Sequence, residues 1–188
     1  LLHFPIEGKP VRVTPITSGH INRSFEVLTD AGERYVLQRV NRNVFHSVDA
    51  MMENLRRIRE YLRRFNEAPP IVCFIDTRSG EACYEDGDGG AWRLCPYVEN
   101  SVSLLRPASP EDFYQSALAF GRFQYALRDF PAASLSDTIP RFHDTPHRYD
   151  QLREAMRADP RGRIMKKQRK IGAEGVDAVK KLVQEKNV

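Results

Sequence analysis

Cysteine is scarce in this chain: three in 188 residues, Cys73, Cys83 and Cys95, with no Cys-x-x-Cys pair. An odd set at such spacings argues against a disulfide framework and a zinc knuckle, and reads as reduced structural thiols. Long apolar runs are missing too. No stretch approaches the roughly 18 to 20 apolar residues that a spanning helix needs. Leu1 to Pro10 carry neither a basic start nor a small-residue cleavage site. These absences point to a cytoplasmic protein with no membrane partner. Internal repeats and low-complexity linkers are also lacking. What is present, 41% hydrophobic and 29% charged residues, suffices for one sizeable core or two small ones.

The formal charge of +4 suggests a nucleic-acid partner until it is divided along the chain. Residues 151–188 hold 11 Lys+Arg against 5 Asp+Glu, whereas residues 1–150 hold 18 against 20. Basicity thus belongs to one segment, where Lys166, Lys167, Arg169 and Lys170 cluster. No aromatic residue follows Asp150 to stack on bases, so a solvated helical face is the better reading and nucleic acid is not the expected partner.

The texture changes from strand-like to helix-like near residue 105. Val11, Val13 and Ile16 lead into Ser18-Gly19-His20-Ile21-Asn22, and Phe25 to Leu28 and Tyr35 to Val40 flank Asp30-Ala31-Gly32-Glu33. This predicts a glycine-bearing turn followed by a hairpin. Asp49 is a plausible N-cap for a helix of about 15 residues whose apolar stripe is Met51, Leu55, Ile58, Leu62 and Phe65, ended by Pro69-Pro70. Short strands are expected over 71–75, 81–85 and 91–98. The acidic turn Asp86-Gly87-Asp88-Gly89-Gly90 mimics a calcium loop, but Tyr97 stands where the twelfth-position Glu belongs, so it reads as a hairpin connection. Ser109-Pro110-Glu111-Asp112 starts a helix with Phe113, Ala117, Phe120 and Leu127 expected inward. Thr145-Pro146 starts another, with Tyr149, Leu152 and Met156 inward, and 163–186 is a further helical stretch interrupted by Gly172 and Gly175.

Turn, hairpin, helix with an early acid, more antiparallel strands, an extended stretch and then helices is the order of a kinase-like small lobe. The expected fold class is therefore α+β: residues 1–100 a nucleotide-binding small lobe and hinge, residues 101–188 the beginning of a helical large lobe. In that architecture turn amides close over nucleotide phosphates, a third-strand side chain reaches the phosphates, a helix Glu orients it, and adenine pairs with the segment between the lobes. The candidates are Ser18, Gly19, His20, Ile21 and Asn22 for the phosphate loop, Gln38 or Arg39 on the third strand, Glu53 on the helix, and Leu94 to Glu99, with Cys95 and Tyr97, for the hinge.

Ser-Gly-His-Ile-Asn-Arg-Ser-Phe (18–25), Tyr-Val-Leu-Gln-Arg-Val-Asn (35–41), Glu-Asn-Leu-Arg-Arg-Ile (53–58), Trp-Arg-Leu-Cys-Pro-Tyr-Val-Glu-Asn (92–100) and Arg-Phe-His-Asp-Thr-Pro-His-Arg-Tyr (141–149) carry a resemblance. Together they resemble the aminoglycoside phosphotransferase and choline kinase-like family, with N-acetylhexosamine kinases as the nearest branch. The resemblance implies transfer of phosphate from ATP, with Mg2+, to a sugar hydroxyl, and an acceptor cleft beside Asp144. Two departures stand out. Gln38 occupies the place of the usual third-strand Lys, and a neutral amide brings no charge; either Arg39 is turned inward by a bulge or another cation substitutes. The His-x-Asp-x-x-x-x-Asn loop of the family, and the Asp that follows it to bind magnesium, are absent from this chain. A catalytic residue is thus not expected among these 188, and the chain reads as a fragment of a longer enzyme.

Two other signals resolve blandly. Pro146 between His143 and His147 spoils a shared helical face for zinc, so capping by Asp144 or Thr145 is the better reading. Cys95 has no paired His and reads as packing. The alternative to a kinase is a non-catalytic module of the same fold that binds an acidic partner through its basic segment.

Overall fold

The structure, a computed structural model, describes residues 1–65, 71–104, 106–159 and Gly175. The chain divides into two compact units, Leu1–Thr138 and Ile139–Val188.

The first unit is built on a five-stranded antiparallel sheet. In chain order its strands are β1 (Pro10–Ile16), β2 (Arg23–Thr29), β3 (Arg34–Arg39), β4 (Tyr84–Glu85) and β5 (Ala91–Pro96), arranged β1-β2-β3-β5-β4. The β2–β3 hairpin turns where Asp30 to Glu33 predict it. Gly32 adopts φ +83°, a backbone state that L side chains rarely take, and Thr29 closes the turn through its amide and hydroxyl to Glu33. The β2–β3 register runs without a shift, so no bulge turns Arg39, and successive side chains alternate between faces. Tyr35 and Leu37 join Phe4, Val27 and Leu94 in a core on one face. Val36 and Gln38 lie on the other.

Helix α1 (Val48–Leu62) packs on the Gln38 side, burying Val48, Met51 and Met52 with Val40, Cys83 and Ala91. Its N-cap is Ser47, whose hydroxyl accepts from the Ala50 amide at 3.3 Å, so the expected cap at Asp49 is corrected by two residues. Asp49 instead sits in the first turn, where a negative charge favours the helix dipole. The helix ends at Leu62, leaving Phe65 beyond it and 39% exposed. The Pro69-Pro70 stop lies outside the described residues.

The strand expected over 71–75 reduces to one bridge, Ile75 to Leu94, and that over 81–85 to Tyr84–Glu85. Between them Thr77 closes a turn ending at Gly80, φ +85°, and consumes the local amides that a longer strand would pair. The Asp86–Gly90 turn is the β4–β5 connection. Asp86 holds it together by accepting from the Gly90 and Asp88 amides and from the Trp92 indole, and these bonds, that of Trp92 foremost, lower its pKa.

Helix α2 (Pro110–Ala126) begins with the predicted chemistry: Ser109 and Asp112 form a reciprocal capping box with Pro110 in the first turn. Its expected inward stripe is corrected, because none of its residues is buried and Phe113 and Phe120 are 67% and 68% exposed. In the second unit α3 (Thr145–Ala158) likewise has no fully buried residue; of its expected inward stripe Tyr149 and Met156 are half-buried, whereas Leu152 is corrected to 48% exposed. Apart from Gly175, the expected 163–186 helix and the Lys166–Lys170 cluster lie outside the described residues. Among the described residues no helix is long and apolar enough to cross a membrane.

Candidate functional site

The bend at Ser18 to Asn22 joins β1 to β2 and carries no regular structure. Ser18, Gly19, His20 and Ile21 are exposed, and a Cβ added at Gly19 would meet no protein atom within 4 Å. The fold itself therefore leaves the space over this bend open. Its far end is anchored, since the Asn22 side chain accepts from the Asn41 amide at 3.0 Å just past β3.

Three side chains form a row across the sheet on the α1 side. Register aligns Ser24 with Gln38 and Gln38 with Arg93. The Gln38 amide donates to the Ser24 hydroxyl at 3.0 Å and accepts from Arg93 Nε at 3.0 Å. The Arg93 guanidinium lies 4.1 Å from the Phe74 ring centroid, with Nη1 3.9 and 4.0 Å from the sulfurs of Met51 and Met52. No carboxylate pairs with it among the described residues, and burial pushes its pKa below the ordinary value. Sequence reasoning missed Arg93. The available signal was the register: Arg93 faces Gln38 once β5 is paired with β3.

Glu53 does not meet Gln38 or Arg39, and that expected pairing is corrected. Its carboxylate is held by Arg56 and Arg57, three and four residues along the same helix, at 2.7 and 2.8 Å. Residues at these spacings are neighbours on the helix surface, so the local partners capture the acid before the sheet can. Their hydrogen bonds, Arg56 first, hold the Glu53 pKa down to about 2. Arg57 also donates to the Ser134 carbonyl, and Asn54 exchanges two hydrogen bonds with the Ser136 backbone, so this face of α1 holds the 134–136 segment.

The hinge candidates separate into buried and clamped groups. Leu94 and Cys95 are buried, and burial raises the Cys95 thiol pKa, which fits packing and not nucleophilic chemistry. Tyr97 and Glu99 are held by Arg34, another residue the sequence did not single out. Its guanidinium sits 3.7 Å from the Tyr97 ring centroid and pairs with Glu99 at 2.9 Å and Glu26 at 3.0 Å, while its carbonyl accepts from the Tyr97 amide.

Arg39 leaves the row and enters a separate cavity of about 280 Å³ with Ile21, Arg23, Asn41 and the Gly89–Gly90 turn. A larger cavity, about 670 Å³, lies between α1 and residues 72–85. Neither is lined by residues 94–99. In the second unit Asp144 is the N-cap of α3, accepting from the His147 amide at 2.9 Å and pairing with Arg141 at 2.7 Å. Those bonds, the backbone one first, lower its pKa. Among the described residues no group of three or more His, Cys, Asp or Glu side chains is placed to hold a metal ion.

A solved aminoglycoside phosphotransferase from Alicyclobacillus acidocaldarius shares the fold at TM-score 0.50 and 18% identity, over 90% of this chain and 50% of its own length. The chain thus spans about half the length of that protein. A spectinomycin phosphotransferase solved with ADP and spectinomycin is similar at TM-score 0.47 and 9% identity, over 66% of this chain and 35% of that one. An amicoumacin kinase solved with AMP-PNP and Ca2+ is similar at 0.48 and 18%, over 72% and 39%. The five-stranded sheet with its helices has the α+β architecture of the kinase-like small lobe. Matching the model of the phosphotransferase enzyme family, APH, over residues 12–184, the chain belongs to that family.

Proposed function

We propose that this chain is the nucleotide-binding portion of an ATP- and magnesium-dependent phosphotransferase whose acceptor is a hydroxyl, the anomeric one, of an N-acetylhexosamine sugar. Family membership over residues 12–184 is the observation that carries the reading. Residues 1–100 act in it as small lobe and hinge, and 101–188 as the start of a helical lobe. The bend at Ser18 to Asn22 lies over the phosphates, which the exposure of its backbone and the empty space at Gly19 support. Residues 94–99 receive adenine through their backbone, since the Leu94 and Cys95 side chains are turned into the core. Gln38 faces the phosphates in this reading and Arg39 does not, in keeping with the unbroken β2–β3 register. Glu53 enters it as the anchor of Arg56 and Arg57, and Asp144 as the cap of α3 beside the acceptor. Magnesium ligands belong to residues outside the described ones.

Two measurements test this. Calorimetric titration of the 188-residue chain with ATP and with adenosine should show saturable binding of both. Phosphorus NMR of the whole protein with ATP, magnesium and N-acetylglucosamine or N-acetylgalactosamine should show a sugar 1-phosphate. Transfer to an aminoglycoside but to neither sugar would remove the acceptor assignment, and failure of both titrations would remove the nucleotide assignment.

A further inference from the structure

A half-buried guanidinium without a carboxylate partner is unusual, because desolvating the charge is unfavourable unless something compensates it. Among the described residues Arg93 is such a group. Its cross-strand bond to Gln38, the Phe74 ring beneath it and the two methionine sulfurs hold it in place, yet none of these supplies a negative charge. It shares a sheet face and a hydrogen-bonded row with the neutral third-strand side chain, Gln38.

We infer that Arg93, reaching from β5 beside Gln38, is the cation that binds the nucleotide's polyphosphate in this protein, the charge having moved one strand along the sheet from β3. The inference rests on the nucleotide reading above and adds to it a positioning and charge-neutralising residue. Gln38 becomes the spacer: its carbonyl fixes Arg93 Nε while the methionine sulfurs face Nη1, which leaves Nη2 to donate to phosphate oxygens, and the Gln38 amide is taken by Ser24. A planar, forked donor suits phosphate oxygens and keeps its charge even where burial disfavours it.

The test compares adenosine, ATP and inorganic tripolyphosphate as titrants of the 188-residue chain at low salt, in wild type and two variants. Arg93→Met keeps an apolar stem among Met51, Met52 and Phe74; it should weaken ATP by about tenfold and abolish tripolyphosphate binding while adenosine stays within about twofold. Gln38→Glu brings a carboxylate to Arg93 and neutralises it in place, so it should raise the urea midpoint and still weaken ATP relative to adenosine. That opposition between stability and affinity separates a charge effect from loss of packing. Equal weakening of ATP and adenosine by Arg93→Met, or Gln38→Glu that leaves the ATP to adenosine ratio unchanged, would overturn the role of Arg93 alone. Wild type that binds tripolyphosphate in an Arg93-dependent way, but not adenosine, would retain the anion site and remove the nucleotide reading. Wild type that binds none of the three would overturn both.

Discussion

Two glycines in this molecule have opposite reasons for being glycine. Around Gly19 there is no protein atom within 4 Å of an added Cβ, and its φ lies outside the left-handed region, so folding does not demand it. Gly19→Val is therefore expected to leave the urea midpoint unchanged while weakening ATP by about tenfold, because the branched side chain occupies the space through which a ligand approaches the backbone. Unchanged ATP affinity, read by calorimetry, would place the phosphates elsewhere. At Gly90 the reverse holds: an added Cβ would lie 2.5 Å from Arg39 Nε and 2.6 Å from Asp86 Oδ2. The Arg39 side chain can swing away, but Asp86 is tied to the Trp92 indole at 2.6 Å and to the Gly90 amide. Gly90→Ala should destabilise the first unit by about 1–3 kcal/mol through overpacking, measured by urea unfolding.

Helix α1 shows how two neighbouring capping candidates divide their roles. Ser47→Ala removes a side-chain acceptor from the Ala50 amide and should cost about 1 kcal/mol, whereas Asp49→Ala removes only a first-turn charge and should cost about 0.3–1 kcal/mol. The sequence points to Asp49 as the cap, and its place at Ser47 depends on where the chain leaving Phe45 turns, which no local pattern states. Further along the helix Glu53 has a pKa lowered from 4.5 to about 2 by its hydrogen bonds from Arg56 and Arg57. The native state thus holds the ionised form more strongly than the unfolded chain does. Its stabilising contribution is fully present above about pH 4.5 and is lost as pH falls toward 2. Glu53→Gln should flatten that part of the stability profile, and added salt should shrink the difference, since the arginines are exposed. Elements whose signals are local were legible: the Asp30–Glu33 hairpin, and the Ser109-Pro110-Glu111-Asp112 start of α2. Strands at 71–75 and 81–85 were misjudged because the Thr77–Gly80 turn competes for their backbone groups.

For the whole molecule, candidate segments can be picked out where neighbours in sequence make them, and contacts between segments stay hidden where register makes them. The bend at 18–22 and the stretch at 94–99 are set apart by residue type, but Arg93 beside Gln38 and Arg34 clamping Glu99 bring together residues 55 and 65 positions apart. Phe4, 1% exposed in the core, belongs to no periodic segment at all. The opposite failure is α2, whose amphipathic spacing was read as burial although Phe113, Phe120 and Tyr125 are 67%, 68% and 68% exposed. Spacing tells which residues share a face and says nothing about whether this chain supplies the surface that covers it. The uncovered rings have a measurable consequence, because exposed apolar patches bind hydrophobic dyes and favour association. The 188-residue chain should bind such a dye and self-associate with rising concentration, and Phe113→Ser with Phe120→Ser should suppress both while shifting unfolding by no more than about 0.5 kcal/mol. A buried residue of the same unit should behave otherwise, with Leu94→Ala costing about 2–5 kcal/mol and leaving dye binding to the native chain unchanged. If the double serine variant instead unfolds like Leu94→Ala, then α2 stabilises the 188-residue chain through its aromatic face.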